Sequence, residues 1–122
     1  MSTLISLEQA SSPVALPPQI KIGPLTYAIE GQDMIFNDGI ECFGLTTHDD
    51  LKIEIADDMP AQLEKMILCH EILHVFCLQT GLSVDSDEEE KLVLQLAPLL
   101  LQFVQGNPEI ISYLQSQCRD SK

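Results

Sequence analysis

The sequence predicts an α+β domain. From Ile20 to Asp57 apolar and polar residues alternate at the period of strands, with turn-forming residues between the runs. From Pro60 onward the apolar residues recur at the period of helices. Strands first and helices afterwards describe a small, mainly antiparallel sheet packed on helices from the second half of the chain. At 122 residues there is room for one such domain and one core.

Residues 1–19 read as a flexible tail, because Ser11-Ser12-Pro13 and Pro17-Pro18 interrupt any helix or ladder. The domain is therefore expected over 20–122. Leu25–Glu30 is a strand closed by Gly31, and Asn37-Asp38-Gly39 supplies a turn that tolerates positive φ. Ile40–Thr47 is a second strand with Gly44 as a candidate bulge. After a turn at His48–Asp50, Leu51–Ile55 alternates strictly: Leu51, Ile53 and Ile55 face one side, Lys52 and Glu54 face water. The short connections make an antiparallel meander the economical arrangement.

Asp57-Asp58-Met59-Pro60 announces a helix, with acids before the first turn and proline near its start. It runs to Thr80, and Gly81 is available as a left-handed cap. Leu63, Ile67, Leu68, Phe76 and Leu78 make it apolar around most of its circumference, as expected of a central helix. Ser83–Asp87 connects to a second helix over Glu88–Val104, whose polar stripe is Lys91, Gln95, Pro98, Gln102 and Gln105. Pro98 cannot bond the Leu94 carbonyl and is expected to kink it. Asn107-Pro108 starts a last helix to about Gln117.

Composition narrows the function. Asp and Glu outnumber Lys and Arg 19 to 6, for a net charge of −13. Such a surface repels phosphate backbones and anionic membranes and attracts basic partners. No apolar run approaches the roughly 20 residues of a membrane span, and no basic segment precedes an apolar stretch at the start. Cys42, Cys69, Cys77 and Cys118 form no CxxC pair and read as reduced thiols in a cytoplasm.

One motif carries chemistry. His70-Glu71-Ile72-Leu73-His74 is HExxH in the middle of the central helix. Four residues advance a helix by about 400°, which puts both imidazoles on one face, one turn apart. That spacing can hold a zinc ion. Glu71 sits about 100° around the helix from His70, beside the ion, where it can take a proton from an activated water. Such a pair can also be ordinary surface histidines, but burying two unpartnered imidazoles in so apolar a helix would cost several kcal/mol.

The third ligand lies elsewhere. Cys77 shares the face but is seven residues, about 10 Å of helix, from His70. Cys77 and Cys69 read as buried small hydrophobes, and His48 as an exposed turn residue. The acidic run Asp85–Glu90 remains. Capping-box spacing from Ser86 would occupy Glu89 and leave Glu90, whereas helical periodicity favours Glu89, nearer the centre of the apolar face.

From Ile20 to Leu114 the chain resembles the small zincin-like metallopeptidases of the ImmA/IrrE type, especially the short phage and prophage forms. The resemblance rests on the strand Leu51–Ile55, the segment Ile67–His74, Gly81-Leu82, Glu90 with Val93, Leu96 and Ala97, and Asn107-Pro108. It implies a minimal zincin-like fold with His70, His74 and Glu90 as zinc ligands and Glu71 as general base. It departs from the family at Pro98 and in the short spacing from His74 to Glu90, and no appended DNA-binding or sensor module is expected. The expected activity is zinc-dependent peptide-bond hydrolysis, with regulated cleavage of a basic, repressor-like protein as the implied role. A zinc-stabilised binding module without turnover is the alternative. Leu51–Ile55 is a candidate edge strand for an extended substrate, and Tyr113 a conceivable oxyanion stabiliser.

Overall fold

A computed structural model describes residues 15–81 and 85–117. Six strands precede three helices: β1 (Gln19–Ile22), β2 (Leu25–Gln32), β3 (Ile35–Asn37), β4 (Ile40–Cys42), β5 (Gly44–Thr47), β6 (Lys52–Ala56), α1 (Ala61–Thr80), α2 (Ser86–Gly106) and α3 (Pro108–Gln115). The α+β class and the small, mostly antiparallel sheet are as the periodicities predict.

The strand order is not a meander. The main sheet runs β1-β2-β6-β5, and β3 pairs with β4 in a separate two-stranded ribbon. β1 and β2 are antiparallel, β5 and β6 are antiparallel, but β6 lies parallel to β2, from Ala28 opposite Lys52 to Gln32 opposite Ala56. Burial explains why β6 is central. Ile53 and Ile55 are almost wholly buried and need a neighbouring strand on each side, while Lys52 and Glu54 are themselves half-covered. Leu51 is not part of β6: its φ of 52° places it in the turn, where its N–H donates to the His48 carbonyl.

The strand expected over Ile40–Thr47 is broken at Phe43, where the chain leaves the ribbon and enters the main sheet. Gly31 does not end β2, which continues to Gln32. Of the expected tail, residues 1–14 lie outside the described residues. Gln19 already belongs to β1, Leu16 packs against the core, and the Pro18 carbonyl accepts from the Ile29 N–H.

α1 ends as expected, with Gly81 at φ 67°. Its sheet-facing side joins Val75 to Ile22, Tyr27, Ile29, Ile53 and Ile55 in one cluster. Another side joins Leu73 to Val93 and Ala97 of α2, with Cys69, Cys77 and Leu100 packed around them. The two thiols are thus half-buried packing residues. Phe76 and Leu78, expected inside, are exposed. α2 is continuous through Pro98 and begins at Asp85, whose side chain accepts from the Glu88 N–H. The Ser83–Val84 part of the connection lies outside the described residues. α3 starts with Pro108 in its first turn and buries no residue.

Candidate metal centre

Three elements bring the site together. α1 carries His70, Glu71 and His74, the first turns of α2 carry Glu89 and Glu90, and β5 crosses beside Glu71. Among the described residues, His70, His74 and Glu90 each offer one donor atom, and these atoms lie within 4.8 Å of one another. His70 Nε2 stands 3.3 Å from His74 Nε2 and 3.3 Å from Glu90 Oε2, and His74 Nε2 stands 2.9 Å from Glu90 Oε1.

These distances match a metal centre. Ligand atoms about 2.05 Å from a common tetrahedral ion stand about 3.3 Å from each other. Proton counting agrees. His74 Nδ1 meets Glu89 Oε2 at 2.7 Å, and since a carboxylate accepts, Nδ1 carries the hydrogen. Neutral His74 then has only a lone pair at Nε2, aimed at a Glu90 carboxylate that also has none to donate. Lone pairs that converge in this way need a cation, either a proton on the imidazole or a metal ion. The same field acts on His74 itself. Burial would lower its pKa, but the Glu89 hydrogen bond and the charges of Glu71 and Glu90 outweigh burial and raise it above 6.5.

Glu89 is therefore neither the third member of the donor group nor the capping-box residue. Asp85 takes the capping role, one position before the expected Ser86. This frees Glu89 to hold the far nitrogen of His74, as carboxylates commonly do behind metal-ligating histidines. Glu90, with its side chain 47 % exposed, reaches both imidazoles.

Glu71 is 7 % exposed, the only buried charged residue among those described. A buried carboxylate needs a donor, and Thr46 Oγ1 of β5 donates to its Oε1 at 2.7 Å, while the residue itself lines the same cleft as the donor group. Gly44 makes this approach possible. A Cβ there would fall 2.7 Å from Ile67 Cγ2 and 3.1 Å from Glu71 Oε2, so a larger residue would force Ile67 or Glu71 to shift. Gly44 is a close-contact glycine where a bulge was expected. Neither Thr46 nor this role of Gly44 was identified from the sequence, because neither has a local signature.

The centre lies on the floor of an open cleft of about 460 Å³. α1 contributes Ile67 and the motif, β5 one flank, the ribbon and its exit Asn37, Cys42 and Phe43, and α2 Glu90 and Leu94. His48 lines it too and is half-buried, with Nδ1 3.2 Å from the Tyr27 hydroxyl, so the expected exposed turn residue is instead part of the wall. The Cys42 thiol pKa is raised by burial and by the charge of Glu71, and the thiol is not among the clustered donor atoms. Burial raises those of Cys69 and Cys77 as well. Tyr113 is 73 % exposed on α3 and does not line the cleft. Neither does β6 offer an edge: the edge of the main sheet beside the motif is β5.

No helix among the described residues is long and apolar enough to cross a membrane. Comparison with protein-family models, curated proteins and solved structures finds no match. The functional reading therefore rests on the residues themselves.

Proposed function

We propose that the chain is a zinc-dependent peptidase of minimal zincin-like design, with His70, His74 and Glu90 holding the ion. The observation that carries this reading is the junction of that donor group with a buried, unshared acid. Glu71 lines the same cleft as the three donors and is oriented through Oε1 by Thr46. Two imidazoles and a carboxylate form a known catalytic zinc set that leaves a coordination position open. Zinc there would supply Lewis acidity toward a scissile carbonyl and lower the pKa of water.

The chain's own residues do the rest. Glu71 Oε2 accepts the proton of the attacking water and passes it to the leaving amine. Glu89 keeps the His74 proton on Nδ1, so that Nε2 presents its lone pair to the ion. β5 takes the place of the Leu51–Ile55 segment as the edge along which an extended peptide would lie. The resemblance to ImmA/IrrE-type enzymes and the charge of −13 support a basic, repressor-like protein as substrate, in a cytoplasmic setting.

The exposed Phe36, Ile40 and Phe43 around the ribbon favour a second reading, a zinc-stabilised module that binds a protein without cleaving it. Glu71→Gln separates the two. With zinc-loaded protein and basic, extended peptides, the peptidase reading expects the variant to keep fold and metal while hydrolysis falls by about 10²–10⁴-fold. Zinc-dependent capture without cleavage by wild type and variant alike selects the binding module. Cleavage undiminished in the variant rules out Glu71 as the base.

A further inference from the structure

Away from the cleft, α2 and α3 present an apolar surface that the described fold does not cover. Leu92, Leu96, Leu99 and Phe103 are 38–59 % exposed. Their spacing of four, three and four residues forms one stripe, the a/d seam of a helix pair. The stripe lies roughly 130° around α2 from the buried Val93, Ala97 and Leu101. It also points away from Glu90 and Leu94, which line the cleft. α3 adds exposed apolar residues of its own. It has eight residues and buries none, and Ile110 and Leu114 share one exposed side of it. A helix this short is marginal in water unless something packs on it.

The charge pattern says what the surface fits. On a chain of net charge −13, Glu109 is the only charged residue between Lys91 and Arg119. The stripe carries no acid, so a contact between two copies through Leu96 and Leu99 brings no carboxylates together. The surface offers a basic partner no row of carboxylates, and the net charge repels an anionic membrane. We propose that this surface is the interface between two copies of the chain, related by a twofold axis near Leu96 and Leu99. Such a contact is self-complementary: the seam of one helix lies antiparallel on the same seam of the other, with Gln95 and Gln102 beside it. A standard interface takes about 800 Å² from each partner, and the four large apolar side chains of the stripe form its centre. The cleft, on the other side of α2, stays open in the pair.

Sedimentation of the full chain over the micromolar range tests this. Wild type should sediment as a dimer. Leu99→Glu, which sets two new carboxylates against each other across the axis, should weaken the dimer at least tenfold while leaving the helical circular dichroism intact. Phe36→Glu, on the ribbon, should leave the dimer unchanged. Because Leu99 is 59 % exposed, the variant does not disturb the core. A monomeric wild type overturns the proposal, as would capping of the face by residues 1–14 or by an unrelated protein. So does a dimer that Phe36→Glu dissociates and Leu99→Glu does not. None of these outcomes bears on metal binding, so the interface and the peptidase reading stand or fall separately.

Discussion

The two ends of α2 are built for opposite purposes. Its first turns, Ser86–Glu90, crowd acids at a helix N-terminus, where the helix dipole favours them. From there Glu89 and Glu90 turn toward the imidazoles of α1. The remainder, Leu92–Gly106, carries no charge: it packs Val93, Ala97 and Leu101 on α1 and leaves a leucine stripe outside. Charge along α2 follows geometry more than solubility. Acids stand where a cation can use them, and the apolar surplus stands where no acid is near.

Substitutions at the acidic end should have the largest effects. Glu90→Gln removes one of the three donors and should weaken zinc binding by more than about 100-fold, measured by competition with a calibrated chelator. Glu89→Gln should weaken it by about 10–100-fold, the range for losing the hydrogen bond behind a metal-ligating histidine. If Glu89→Gln proves the more damaging, the roles of the two acids are exchanged. If it is silent, the 2.7 Å contact to His74 is not orienting the ring.

Gly44→Ala probes the contact between sheet and motif. Its Cβ would meet Ile67 and Glu71 in close-packed surroundings, and overpacking of this kind costs about 1–3 kcal/mol. Denaturant unfolding should register that loss, and hydrolysis should fall with it as Glu71 is displaced. An unaffected variant would mean that β5 is free to move away from α1.

The smallest effect is in pH dependence. In metal-free protein the His74 pKa is raised above 6.5 despite its burial, through Glu89, Glu71 and Glu90. The stabilisation from that charged imidazole is fully present below the unfolded value near 6.5. It is lost as pH rises through the raised folded value. The stability difference between wild type and Glu89→Gln should therefore shrink from pH 5.5 to pH 8.5 in metal-free protein. Zinc reverses the dependence, because the proton and the ion compete for Nε2.

What was readable in the chain was what local periodicity encodes. Pro60 and Gly81 bracket α1 within a residue, the HExxH spacing puts both imidazoles on one face, and Pro108 opens α3. Pairing across the sheet was not readable. Nothing local in Leu25–Gln32 or Lys52–Ala56 says that they run parallel, and that pairing is what makes β5 the edge and turns Thr46 toward Glu71. The place of His48 is hidden for the same reason: nothing local to its turn shows that Tyr27 meets the ring. The division of labour between Glu89 and Glu90 depended on one cap. Asp85 in place of Ser86 at the N-cap releases Glu89 to His74, and helical periodicity could not see that.

Whether His70, His74 and Glu90 hold one zinc ion is decided by a calorimetric zinc titration of metal-stripped protein. Wild type should take up one equivalent and gain thermal stability with it, since an ion that binds only the folded chain stabilises it. His70→Ala should lose both the tight binding and the gain. Wild type that takes up no zinc under titration, or His70→Ala that binds it as tightly as wild type, would mean that these residues do not hold the ion.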